Sequence, residues 1–236
     1  MILRKGIILF FLVVVSFASA QNVNDAGMWN AFSFSSDIKD LTPWKDADIF
    51  KNVSFHLNPE MRFNENITQL RGCFTDIGFD NKWSKYASST IEYRVGGRRE
   101  ESGFSIRRRW SIGTQLSLPI NDFKITATTR YQIAQVRTSD LDLNSTWRQK
   151  LGLEYSHWKN LSIQVSHELF FLPITLENTN WRSQISMKYK IDKSNGISLG
   201  YLVQRDLTNA DMDFVILTGY KWEFNKKKEK STPAVH

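Results

Sequence analysis

The feature that most constrains the fold is a strict alternation of apolar and polar side chains. In residues 52–63 the apolar set is Val53, Phe55, Leu57, Met61 and Phe63, opposite Asn52, Ser54, His56, Asn58, Glu60 and Arg62. A period of two puts successive side chains on opposite faces of a strand and is not helical. The alternation recurs in 105–118, 123–133, 148–156, 161–169, 182–189 and 214–224. The sequence therefore predicts an all-β protein.

The length of these segments separates a membrane barrel from a soluble sandwich. Strands of soluble proteins usually have about 5 to 6 residues, whereas these have about 10 to 12, the length of a tilted membrane strand. One face carries several ionised side chains per strand and the other is broad and aromatic, as in a barrel with lipid outside. We predict an antiparallel up-and-down transmembrane β-barrel of about ten strands between Phe50 and Phe224, with twelve strands as the alternative.

The N-terminus has the pattern of an export signal. Arg4 and Lys5 precede an apolar run of about 13 residues, and Ala18-Ser19-Ala20 forms an A-x-A cleavage site. The run is shorter than the roughly 20 residues of a membrane-spanning helix, so we predict cleavage and export to the outer membrane. The predicted organisation is a signal peptide at 1–20, an N-terminal segment at 21–49, the barrel at 50–224 and a basic tail at 225–236.

The N-terminal segment contains a short alternating stretch of its own. Between Trp29 and Ser36, two phenylalanines at 32 and 34 alternate with serines at 33 and 35. This stretch is a candidate extra strand, although it disturbs the in-and-out parity of a ten-strand barrel. Three alternatives follow: the stretch pairs at the barrel seam, belongs to a twelve-strand barrel, or plugs the lumen.

Connections and aromatic residues suggest two distinct ends. Short connections fall at 81–85, 119–122, 157–160 and 192–196, and longer ones at 64–69, 96–103, 135–146, 172–180 and 206–211. Bacterial barrels place tight turns in the periplasm and longer loops outside. Aromatic girdles are expected at both interfaces, and the candidates are Trp83, Trp158, Trp222 and Phe224 at the short-turn end, with Trp147 and Trp181 at the other.

Charge and cysteine content argue against a nucleic-acid-binding protein and against a fold held by disulfides. The net charge of +7 falls to +5 once Arg4 and Lys5 leave, and the lysine-rich tail carries another +3, so the barrel itself has about +2. This argues against nucleic-acid binding. Cys73 is the single cysteine, so an intrachain disulfide cannot form.

The polar faces of the strands predict a charged lumen. Its lining is predicted to include Glu60, Arg62, Glu92, Arg94, Arg107, Arg109, Arg130, Arg148, Lys150, Glu154, Glu168, Arg182 and Lys188. In one interpretation these charges pair across strands and close a narrow lumen; in the other, surplus cations line an anion-favouring path. We favour the first, because ten strands enclose little space beyond their own long side chains.

Catalytic and metal-binding patterns are weak. Ser54, His56 and Asn58 share a face, but alternate residues on a strand lie about 6.6 Å apart, beyond hydrogen-bond reach. His167 should point away from Ser166 and Glu168. The four histidines lack metal-ligand spacing. We therefore expect no catalytic residues, no metal and no cofactor, and we expect a protein that is not an enzyme.

Spaced strand features carry a family resemblance. They are Trp29, Glu60-Met61-Arg62, Trp147-Arg148, Glu154, Glu168, Trp181-Arg182, Gly200-Tyr201 and the closing Gly219-Tyr220-Lys221-Trp222-Glu223-Phe224. Over residues 28–224 the chain resembles the domain of unknown function 2490, a family of small outer-membrane barrels common in Bacteroidetes. The closing segment also resembles the aromatic-ended signal by which barrels are recognised for insertion, although twelve residues follow Phe224.

The expected role is a porin-like outer-membrane component, either structural and surface-exposed or a narrow channel with an ion-paired lumen. The expected partners are outer-membrane lipid and the barrel-insertion machinery, and the oligomeric state stays open. An outer-membrane enzyme that modifies lipids is one alternative, and a secreted soluble β-barrel that binds an apolar ligand is another.

Overall fold

Eleven strands close into a barrel in the computed structural model, which describes residues 26–41, 51–64, 66–100, 103–137, 141–207 and 212–224. The elements are β1 Ala26–Asp37, α1 Ile38–Leu41, β2 Val53–Asn64, β3 Gln69–Lys82, β4 Ala87–Glu100, β5 Gly103–Ile120, β6 Phe123–Arg137, β7 Leu141–Tyr155, β8 Leu161–Phe171, β9 Asn178–Lys190, β10 Asn195–Asp206 and β11 Met212–Phe224. The predicted all-β barrel is confirmed. The predicted signal peptide and basic tail lie outside the described residues.

The stretch Trp29–Ser36 forms most of β1 and lies at the seam. β1 pairs antiparallel with β2 and parallel with β11, from Ala26 opposite Phe214 to Ser36 opposite Phe224. All other neighbouring strands are antiparallel. β1 raises the count from the predicted ten to eleven, and an odd up-and-down barrel closes only if its first and last strands run in the same direction.

Strand ladders extend further than the sequence suggested. β4 and β5 stay paired as far as Glu100 opposite Gly103, so two residues connect them, and three connect β6 to β7. The predicted longer loops at 96–103 and 135–146 are therefore wrong. Backbone pairing continues through the polar residues that had suggested loops there. The longest connection, 38–52, follows β1 at the end where the short turns lie. Connection length does not distinguish the two ends, which we name the Ala26 end and the Asp37 end after the limits of β1.

The distribution of polarity is reversed relative to a soluble protein. Exterior side chains such as Ile112 and Leu151 are 59% and 65% exposed. The buried side chains are mostly polar, and they include His56, Asp76, Glu92, Ser111, Gln132, Ser166, Glu168 and Ser186. Leu202 and Val215 form one of the few buried apolar contacts, on neighbouring strands. Among the described residues, no helix is long and apolar enough to cross a membrane.

Candidate functional site in the barrel interior

The predicted lumen residues share the interior face. The strand register places on it Glu60, Arg62, Glu92, Arg94, Arg107, Arg109, Arg130, Arg148, Lys150, Glu154, Glu168, Arg182 and Lys188. Several pairs join strands that are not neighbours, among them Arg130 Nη1 to Glu92 Oε1 at 3.3 Å and Arg94 Nη2 to Glu60 Oε2 at 3.7 Å. Side chains from non-adjacent strands converge only on the concave side of a closed sheet, so this face is the interior.

Ten interior charges form two groups of arginine–carboxylate ion pairs, one around Glu168 and one that holds the other three carboxylates, and together we call them the network. Its members are Glu60, Arg62, Asp76, Glu92, Arg94, Arg109, Arg130, Arg148, Glu168 and Arg182. Arg94 binds Asp76 through two parallel hydrogen bonds of 2.5 Å each, the fork geometry that makes guanidinium–carboxylate pairs strong. Asp76 lies on β3 and was not among the predicted lumen residues.

Glu168 joins the strands on either side of it. Its carboxylate lies 2.6 Å from Arg148 Nη2 on β7 and 3.7 Å from Arg182 Nη1 on β9. Arg182 also donates two hydrogen bonds, of 2.6 and 3.1 Å, to Gln204 Oε1 on β10. The side chains of Glu168 and Arg148 are 8% and 13% exposed. This part of the network is shielded from solvent.

Three aromatic rings lie inside the barrel among the arginines. The guanidinium carbons of Arg62 and Arg182 lie 3.9 and 5.2 Å from the Trp29 ring centroid. Phe74 contacts two network arginines in the same way, and Phe170 contacts two more. Cation–π contacts of this kind attract a guanidinium to a ring face. These rings were not among the predicted lumen residues, although Trp29 shares the parity of the polar Ser33 and Ser35 rather than that of Phe32.

His56 is held by partners from two other strands. Its Nδ1 lies 2.9 Å from Asp80 Oδ2 on β3 and its Nε2 lies 3.6 Å from Glu92 Oε2 on β4. The hydroxyl of Ser33 donates a 2.5 Å hydrogen bond to Asn58 Oδ1. The two polar residues that share a face with Ser54 are thus engaged elsewhere, and no triad is assembled on β2.

Towards the Asp37 end the interior is wider and less densely paired. Cavities of about 490 and 360 Å³ are lined mainly by polar and charged side chains, among them Lys124 and Lys150. A third, of about 480 Å³, is lined by Glu154 and Lys188 and also by apolar and aromatic residues such as Leu161 and Tyr189. Lys124 Nζ lies 2.7 Å from Glu154 Oε2. The network therefore occupies the narrower part of the barrel, nearer the Ala26 end.

The predicted girdle residues lie at both ends of the exterior. Trp83 and Trp158 lie in turns at the Asp37 end. Trp222 and Phe224 lie in the last residues of β11, at the same end. Trp147 and Trp181 lie on the outer faces of β7 and β9, towards the Ala26 end. The Trp147 indole donates to Thr129 Oγ1 at 2.7 Å, which satisfies its one polar group.

Two further observations concern chemistry. His167 lies on the exterior, away from Ser166 and Glu168, and its Nδ1 is 2.9 Å from Ser183 Oγ on β9. Within the described part of the chain, no group of three or more His, Cys, Asp or Glu side chains is placed to hold a metal ion.

Comparison with known proteins decides the family. A family model described as "Protein of unknown function (DUF2490)" matches residues 26–215, from the first residue of β1 into β11. The chain belongs to this family. No curated protein matches the DUF2490 chain. Among solved structures, the crystal structure of the beta domain of the Bordetella autotransporter BrkA is similar to the DUF2490 chain. The match covers 73% of the DUF2490 chain and 82% of the autotransporter chain, with 10% sequence identity and a TM-score of 0.46.

Proposed function

We propose that this DUF2490 protein is an outer-membrane β-barrel, exported through a signal peptide at residues 1–20, whose interior is closed by ion pairs. Its role is that of a structural or surface component, with at most a narrow conducting path, and not that of an enzyme. The observation that carries the proposal is the reversed polarity of the barrel, which has a charged, cross-linked interior and an apolar exterior.

The exterior supports a lipid environment. Large apolar side chains with about half or more of their surface exposed occur on most strands, among them Ile91, Trp110, Leu116, Val165 and Leu199. Soluble monomers rarely expose a continuous apolar surface of this extent. The strands have 11 to 18 residues, enough to cross the hydrocarbon core at a tilt. This argues against a secreted soluble barrel.

The interior supports a closed lumen. Arg62 on β2 and Arg182 on β9 both contact the ring of Trp29 on β1, although β10 and β11 separate β9 from β1. Side chains from distant parts of the wall therefore meet in the cross-section. Because a buried charge is costly without its partner, we expect these pairs to persist and to obstruct ions and solutes.

Insertion and source complete the proposal. β11 ends in the aromatic segment Tyr220–Phe224 at the Asp37 end, which we assign as the contact with the barrel-insertion machinery. The family resemblance favours a source among the Bacteroidetes. The surrounding lipid is the remaining partner that we propose.

The localisation is tested with the full chain. Membrane fractionation should recover it in the outer membrane, and a folded barrel should migrate differently in gels before and after boiling. Recovery as a soluble protein without detergent would overturn the barrel's membrane location. Purified protein in planar bilayers should show little current, and a large, steady conductance would overturn the closed interior.

A second candidate, an enzyme that acts on lipids, is favoured by one observation. His167 and Ser183 are a base and a nucleophile within hydrogen-bond distance on the surface that would face lipid. Among the described residues, however, His167 has no hydrogen-bond partner besides Ser183, so its ring is not oriented as in a triad. Release of fatty acid from phospholipid vesicles by the wild type, abolished in Ser183→Ala, would favour this candidate over the first.

A further inference from the structure

A second group of interior cations lies beyond the network, around a cavity at the Ala26 end. The cavity has a volume of about 220 Å³, and of its fourteen lining residues eight are arginines and one, Asp213, is acidic. Several of these arginines belong to the network and have carboxylate partners. Arg71, Arg98, Arg107 and Arg108 do not belong to it.

Arg98 takes part in no ion pair among the described residues. No carboxylate oxygen of a described residue lies within 4 Å of its guanidinium; Glu100 attracts it from further away, while Arg71 and Arg107 are close enough to repel it. Like charges gathered in a partly shielded site raise the free energy of the protein unless an anion offsets them. The proposed closed lumen gives this concentration of charge no role.

Two of the arginines that line this cavity also hold hydrogen-bond donors without a partner. Arg107 binds Glu100 through Nη2 at 2.5 Å, while its Nε is buried and has no partner among the described residues. The Nε of Arg109 is likewise buried and without a hydrogen bond there. Buried donors of charged groups are costly to leave unsatisfied. The cavity therefore combines excess positive charge with two lining arginines that are incompletely hydrogen-bonded.

We propose that this cavity binds a small phosphate-type oxyanion, inorganic phosphate or a phosphate monoester, through Arg98, Arg107 and Arg109. Guanidinium groups present paired N–H donors that match the oxygens of a phosphate, and a dianion offsets more than one of the three charges. A volume of about 220 Å³ holds such an anion with a few waters, each of which takes roughly 30 Å³. Anion binding goes beyond the proposed function, because it requires only this cavity and does not depend on whether the lumen is closed.

The position of the site separates two sources of phosphate. Arg98 and Arg107 lie opposite Gly72 and Gly96 on the interior face, whereas a lipid headgroup meets the exterior wall. The ligand is therefore a soluble anion that enters at the Ala26 end and stops at the network, where Trp29 and Phe74 line the cavity.

The test is titration of the detergent-solubilised barrel with inorganic phosphate by isothermal calorimetry, with ionic strength held constant by sodium chloride. Phosphate and glycerol 3-phosphate should each bind one per chain and should raise the temperature at which the barrel loses its folded gel mobility. Phosphatidic acid added to the micelles should not compete. Competition by this lipid would overturn the interior site, as would equal effects of chloride at the same concentration.

Two matched variants locate the binding. Arg98→Gln should weaken phosphate binding about tenfold or more, the loss expected for a charge-assisted hydrogen bond. Because this change removes mutual repulsion, its unfolding temperature without phosphate should be no lower than that of the wild type. Arg99→Gln removes the same charge from the next residue, whose side chain is exposed on the opposite face, and should bind as the wild type does. Equal weakening in both variants, or unchanged affinity in Arg98→Gln, would overturn the proposal.

Discussion

Replacing Glu168 by Gln tests whether the interior charges hold the barrel together. The substitution keeps size and shape but removes the negative charge that Arg148 and Arg182 share. Arg148 donates to Glu168 through Nε at 2.8 Å and through Nη2 at 2.6 Å. After the substitution, one amide oxygen remains as acceptor, while both arginines keep their charge in a site shielded from solvent.

The expected cost is about 3 kcal/mol of unfolding free energy. Removing one partner of a buried ion pair generally costs about 3 to 5 kcal/mol, because an uncompensated charge is left behind. The lower end applies here, because the second arginine, Arg182, also donates to Gln204 and because Gln retains one acceptor for Arg148.

Glu154→Gln is the matched control. Glu154 also binds a cation on a neighbouring strand, but that partner, Lys124, is 45% exposed. Water and salt can therefore solvate the Lys124 ammonium group once the carboxylate is removed. Exposed pairs contribute roughly 0 to 1 kcal/mol. The two substitutions are chemically identical and lie on neighbouring strands, so a difference of about 2 kcal/mol measures shielding by the network.

The assay is a urea titration of the barrel in lipid vesicles, followed by tryptophan fluorescence and by gel mobility without boiling. The double variant Glu168→Gln with Arg148→Gln should be less unstable than the sum of the single changes, with a coupling of about 1 to 3 kcal/mol. Equal costs for Glu168→Gln and Glu154→Gln, or additive costs in the double variant, would refute the idea of a stabilising, shielded network.

Three further substitutions test the exterior, the packing beside β3 and the seam. Ile112→Arg should cost about 2 to 4 kcal/mol in the same titration if its exposed face meets the hydrocarbon core, and an unchanged midpoint would contradict a lipid-facing exterior. Gly78→Ala should cost about 1 to 3 kcal/mol, because a Cβ there would lie 2.6 Å from His56 Nε2; wild-type stability would show that the wall yields easily. Phe34→Ala should cost about 1 kcal/mol and speed amide exchange in β1, since the ring centroids of Phe34 and Trp222 lie 5.3 Å apart across the seam. Unchanged exchange would argue against a seam held by these rings.

The sequence by itself determined the fold class and the side of the wall on which each residue lies. A strand turns successive side chains to opposite faces, so polarity along one short segment is enough to place Ile112 outside and Glu168 inside. The same parity also places inside Trp29, four residues before Ser33 on β1, and Phe170, two residues after Glu168 on β8. These are local properties of the chain, and they do not depend on which strand lies next to which.

Only the tertiary structure decided how the barrel closes and which charges meet. The parallel pairing of β1 with β11 joins segments from opposite ends of the described chain, and no local pattern encodes that direction or the resulting count of eleven. In the same way, parity puts Glu92 and Arg130 on one face, but their contact across β5 depends on the stagger of the closed sheet. Closure brings together residues that are distant in sequence, so the partners of each charge, and the cavity around Arg98, follow from register and curvature and not from composition.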